Sequence, residues 1–172
     1  MKKSFMRFLS LTIVLALIAP VMINAQAGKA NFAGSWVANA EKSTPAPAGG
    51  QGGGGGMRMG GGDFTATQDA NLLTVTRTRT GQDGTATTTV TKYTLDGKQS
   101  VNTNPRGESK STATWSADGK ALTIVTTSTF GDREMKTTEV WTLTDAKTLT
   151  VKSTRPGQDG AEVTTNRVYD KK

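Results

Sequence analysis

The sequence predicts an all-β fold, an antiparallel up-and-down meander barrel of about ten strands that closes by pairing its last strand with its first. Three observations predict it. From Asp63 onward, turn signals recur about every eight to twelve residues, the spacing of successive hairpins. No stretch between those turns is long enough or helically periodic enough to be a crossover helix, so the strands pair in sequence. The two ends also match: Phe32-Ala33-Gly34-Ser35-Trp36 opens the pattern and Thr165-Asn166-Arg167-Val168-Tyr169 closes it, and a closed barrel brings such ends together.

Each element follows from its boundaries. The first strand carries Trp36 and is followed by a Pro/Gly-rich stretch, residues 45–62, that cannot pack a core. A second strand ends at Asp69-Ala70-Asn71. The third places Leu73 and Val75 on one face and runs to Gly81-Gln82-Asp83-Gly84. Tyr93 and Leu95 mark the fourth, which turns at Asp96-Gly97, and the fifth ends at Asn104-Pro105-Arg106-Gly107. The sixth reaches Asp118-Gly119, the seventh has Leu122 and Ile124 before Gly131-Asp132, and the eighth has Trp141 and Leu143 before Asp145-Ala146. Leu149 and Val151 define the ninth up to Pro156-Gly157-Gln158-Asp159-Gly160, and the tenth holds Arg167 and Tyr169. Continuing the same faces brings Arg77, Arg79, Glu139, Arg155 and Arg167 inward, so one end of the interior is expected to be apolar and the other charged. Thirty threonines suit a pleated surface whose outer face stays wettable. That surface differs from the apolar, aromatic-girdled band of an outer-membrane barrel. A weak repeat, Leu73 to Tyr93 against Leu149 to Tyr169, reads as reuse of similar hairpins rather than a solenoid.

Residues 1–27 read as a secretory signal peptide. Lys2, Lys3 and Arg7 precede an apolar run from Phe8 to Ile23, and Ala25-Gln26-Ala27 offers cleavage after Ala27 or after Ala25. The run is short and broken by Pro20, which argues against an uncleaved anchor, so no membrane span is expected after signal removal. The expected location is periplasmic or secreted. Residues 28–172 then form one domain with a flexible loop at 45–62. That loop reads either as a lid over one barrel mouth or as a tolerated surface insertion. The whole chain has 21 basic and 14 acidic residues; without the signal 18 basic residues face the same 14, a charge of +4. These charges are scattered singly, which argues against a nucleic-acid partner, and a monomer is expected.

Cysteine and histidine are both absent. That removes the Ser-His-Asp triad, the cysteine nucleophile, the usual zinc site and any disulfide staple, so no catalytic residue, metal or cofactor is expected. Met57 and Met59 form a Met-x-Met pair, too thin a set for a copper site. Glu108, Glu134, Glu139 and Glu162 show no pairing that would support glycoside hydrolysis.

Phe32-x-Gly34-x-Trp36, with Asn39 and Lys42-Ser43 behind it, resembles the first strand of the calycins, the lipocalins and the intracellular lipid-binding proteins, and also bacterial secreted lipocalin-like domains. The resemblance implies a ligand-binding barrel. Arg167-Val168-Tyr169 is similar to the Arg-x-Tyr pair with which fatty-acid-binding proteins hold a ligand carboxylate, and alternation puts residues 167 and 169 on one face. The resemblance also implies a structural plug, Arg167 packed over Trp36, and this is the role favoured for Arg167. The expected function is non-enzymatic binding of a small apolar or amphipathic ligand, with Arg167, Tyr169, Trp141, Tyr93 and Arg77 as ligand-binding residues. The alternative is a structural or interaction protein of the cell envelope, its barrel solid and ligand-free.

Overall fold

A computed structural model describes residues 28–44, 62–81, 83–104, 107–130, 133–157 and 160–172. The expected signal peptide, nearly all of the 45–62 loop, and Met57 and Met59 with it lie outside the described residues. Ten strands follow in chain order: β1 (Gly34–Asn39), β2 (Phe64–Gln68), β3 (Leu72–Thr80), β4 (Ala86–Thr94), β5 (Gln99–Asn104), β6 (Gly107–Trp115), β7 (Ala121–Phe130), β8 (Arg133–Asp145), β9 (Thr148–Pro156) and β10 (Glu162–Lys171). They form one antiparallel sheet in the order β4-β3-β2-β1-β10-β9-β8-β7-β6-β5, curled into a nearly closed barrel.

First and last strands pair through the backbone, Trp36 opposite Lys171 and Ala38 opposite Tyr169. The segment behind β1 extends that junction. Thr44 N–H donates to Asn166 C=O at 2.8 Å, and Val168 N–H donates to Ser43 Oγ at 2.9 Å. Asn39 Nδ2 and Lys42 Nζ both reach the Asp170 carboxylate, at 2.6 and 3.2 Å. The residues that follow the Gly-x-Trp pattern therefore bind the C-terminal strand. Gly34 is favoured by its backbone conformation, and the Lys171 side chain folds over it. Its φ is +143°, and a Cβ there would stand 2.5 Å from Lys171 Cε.

The sheet's two free edges are β4 and β5, which close on each other by side chains instead of a backbone ladder. Asn102 Oδ1 accepts the Lys92 N–H at 2.8 Å while Asn102 Nδ2 donates to the Lys92 C=O at 2.9 Å, so one amide side chain takes the place of a strand's peptide group. Two residues along, Ser100 Oγ accepts the Thr94 N–H at 2.8 Å. Outside this seam stand Val90 and Val101, 48% and 55% exposed.

The apolar core fills the end of the barrel where the β2–β3, β4–β5, β6–β7 and β8–β9 turns lie. Leu73, Leu122, Ile124, Leu149 and Val151 come from the period-two faces, and Leu95 is buried in its turn with its N–H on Asn71 C=O. A bulge between Leu143 and Asp145 keeps Leu143 opposite Leu149 before the tight turn.

Candidate functional site

Phe32 lies ahead of β1 and plugs the apolar end. Its N–H donates to Gln68 Oε1 at 2.9 Å, Gln68 Nε2 donates to Ala30 C=O at 2.9 Å, and the Phe32 C=O accepts Trp36 Nε1 at 2.8 Å. Ala30 N–H reaches Gly119 C=O, so the segment crosses the barrel's end from one wall to the other. From Phe32 a chain of ring contacts crosses the interior. Phe32 stacks on Trp115 at 5.8 Å and meets Trp141 edge-on at 5.7 Å; Phe64 touches Trp141 at 5.5 Å and Tyr169 at 5.0 Å. This aromatic layer separates the apolar end from the inward residues above it and forms the floor on which they stand.

Above the floor the inward residues change character. Arg77, Tyr93, Thr126, Glu139, Ser153, Thr165 and Arg167 all follow inward positions by register and each is only part-buried, whereas Leu73, Leu122, Ile124 and Leu149 below are almost wholly buried. Arg77 bends over the floor, its guanidinium 4.4 Å from the Phe64 ring centre and its Nη1 donating to Gly62 C=O at 3.1 Å. Glu139 Oε2 accepts Trp141 Nε1 at 3.0 Å. Burial pushes the Tyr93 phenol well above its ordinary pKa. The Glu139 charge adds to that shift and Arg77 offsets part of it, so these three groups feel one another across the interior.

One wall of this upper half is made of hydroxyls. Ser100 on β5 stands opposite Ser111 on β6, Ser111 opposite Thr126 on β7, and Thr126 opposite Thr137 on β8, a single line across four neighbouring strands. Ser100, Ser111, Ser128 and Thr137 are buried, and all belong to this side of the barrel. Ser111 and Thr126 bond each other at 2.9 Å, and Ser100 bonds Thr94. Thr137 Oγ1 is buried with no partner.

The expected ligand residues divide by height. Trp141 and Tyr169 are fully buried members of the floor, joined through Phe64; Arg77 lies directly over it; Tyr93 and Arg167 face the accessible half. Arg167 pairs in register with Val151, four residues along β10 from Lys171. Lys171 is the residue opposite Trp36, with its ammonium 5.4 Å from the ring centre. Phe32, Phe64, Lys171 and the hydroxyl line were not singled out from sequence as site residues. Outside the barrel, over β1, β2 and β3, an open groove of about 240 Å³ is lined by Ser35, Val37, Thr65, Thr76, Thr78 and Lys172 among others. The chain matches no family model and no curated protein sequence.

Proposed function

We propose that this is an exported, monomeric, non-enzymatic barrel of the lipocalin-like kind that binds a small apolar or amphipathic ligand in the accessible half of its interior. The observation that carries the reading is the part-accessible surface that the inward residues Arg77, Glu139, Ser153, Thr165 and Arg167 keep above the aromatic layer. An apolar body would rest on Phe64 and Trp141, and a polar head would meet Tyr93, Glu139 and the arginines. Export rests on the Lys/Arg, apolar, Ala-x-Ala order of residues 1–27. The calycin resemblance supports the same reading through the Gly-x-Trp opening.

A second reading, an envelope structural protein with a ligand-free barrel, is favoured by the fully packed lower half and by Val90 and Val101 beside the seam. Native mass spectrometry of the protein purified from its host's exported fraction separates the two. A reproducible added mass, lost on denaturation, supports the binding barrel. A bare mass that takes up nothing from a lipid extract overturns it in favour of the structural barrel.

A further inference from the structure

We infer that the β3–β4 and β9–β10 hairpins carry two copies of one recognition unit, which present Arg79 and Arg155 to a linear, carboxylate-bearing polymer, an acidic polysaccharide. The sequence Thr-Arg-x-Gly-Gln-Asp-Gly occurs twice, at 78–84 and at 154–160. The two hairpins are built alike. Gly81 N–H donates to Thr85 C=O at 2.8 Å and Gly157 N–H to Ala161 C=O at 2.6 Å, and Gly84 and Gly160 have φ of +79° and +80°. Across each ribbon a threonine pair is joined through its hydroxyls at 3.0 Å, Thr78 with Thr88 and Thr154 with Thr164.

The turn explains Gly84 and Gly160 by their positive φ, and Asp83 by its carboxylate, which takes the Thr85 N–H and hydroxyl. It does not explain the arginines. Arg79 and Arg155 precede the turns, opposite Thr87 and Val163, and both are exposed. Each continues the inward alternation of its strand, after Leu73 and Val75 in one and Leu149 and Val151 in the other, so both stand on the axis side of their ribbons. The strand lysines Lys92, Lys110, Lys136 and Lys152 take outward positions instead. Four strand steps in the sheet order separate the hairpins, about 19 Å along the wall. In both hairpins the later strand precedes the earlier one in that order, so rotation about the barrel axis relates them and both turns leave the same end. A guanidinium fork meets a carboxylate in two parallel hydrogen bonds, which an ammonium cannot do. Two forks set the same way fit a chain whose carboxylates repeat along its length, whereas a small anion would need one. The surface is exposed and uses no interior cavity, so the inference is independent of the binding reading above.

The test is calorimetric titration of the host-purified protein, at physiological salt, with polygalacturonate and with digalacturonate, which is too short to join the two hairpins. The polymer is expected to bind about a hundredfold more tightly per chain, the gain from a second, tethered contact. Arg79→Gln and Arg155→Gln are each expected to lose about tenfold or more of that gain, and to match each other within about twofold. The double variant Lys136→Gln/Lys152→Gln removes two charges from the outer wall and is expected to keep the parent affinity within about twofold. All four residues are exposed, so unfolding midpoints should stay level and lost binding cannot be ascribed to a damaged fold. An unchanged affinity in either arginine variant, or digalacturonate binding as tightly as the polymer, overturns the paired unit. An equal loss in the lysine variant overturns it in favour of net charge, and tighter binding of polyphosphate overturns the carboxylate assignment. No binding of polygalacturonate overturns the inference and leaves the binding barrel standing, since native mass spectrometry tests that reading separately.

Discussion

Replacing Asn102 by Ala tests the seam between β4 and β5. In the parent protein the Lys92 N–H and C=O are held by one side chain, at 2.8 and 2.9 Å, with no strand ladder beside them. Each such bond contributes about 0.5–1.5 kcal/mol net, and Lys92 is exposed enough for water to take over its freed groups, so the loss should be about 1–2 kcal/mol. With a urea slope of about 2 kcal/mol/M for a domain of this size, the midpoint falls by roughly 0.5–1 M. Amide hydrogen exchange gives the sharper readout. The Lys92 amide should accelerate in Asn102→Ala, while Thr94, whose N–H is held separately by Ser100 Oγ, keeps its protection. Val90 lies two residues further along the same edge and serves as the unprotected reference. Asn102→Asp keeps an acceptor for the Lys92 N–H and sets a carboxylate against the Lys92 carbonyl, so stability should fall with that amide still protected. A Lys92 amide that exchanges as slowly in Asn102→Ala as in the parent would refute the reasoning, because a backbone ladder would then be closing the barrel.

Phe32→Ala empties the plug beneath Trp115 and Trp141 and should cost about 3–5 kcal/mol in chemical denaturation; a loss below about 1 kcal/mol would mean that the end of the barrel closes without it. Ultraviolet titration of the two tyrosines should leave Tyr93 neutral well above pH 10, where an ordinary phenol ionises, and Glu139→Gln should lower its midpoint, because the Glu139 charge raises it. Since the folded state holds that proton more tightly than the unfolded state, the Tyr93 contribution to stability is full below pH 10 and declines as the pH rises past it. Asp170 should titrate below the ordinary carboxylate range, chiefly through the Asn39 hydrogen bond and then through Lys42. Its contribution to stability is present above that range and fades as acid protonates it, and carboxylate NMR of Asn39→Ala should show the midpoint moving back up.

The hairpin order was legible because turn signals and alternating apolar residues carry phase. Leu73 with Val75 and Leu149 with Val151 leave no doubt about which face is inward, and all four are buried. The hydroxyl line carries no such phase. Lys136-Thr137-Thr138 has threonine on both faces, so the surface-threonine reading passed over the one that is buried without a partner. The seam was hidden for a similar reason, since Asp96-Gly97 reads as an ordinary hairpin turn and the ladder it leaves unmade depends on the curvature of the whole sheet. The C-terminal Asp170-Lys171-Lys172 carries no apolar residue to mark an inward face. The pairing of β1 with β10 turns it into a structural segment, Lys171 over Trp36 and the Lys172 N–H on the Ser35 carbonyl.

That pairing also sets the order of folding events. Asn39 and Asp170 are separated by 131 residues, so β1 has β2 alone for company until the end of the chain has been made. Closing a loop of that length costs about 4 kcal/mol of chain entropy beyond the fixed cost of a short one, and contacts so distant in sequence form slowly. The hairpins of β6 through β9 join neighbours only and can form early. The step that makes this sheet a barrel is therefore its last, and until then both β1 and β10 stand as open edges able to pair with another chain.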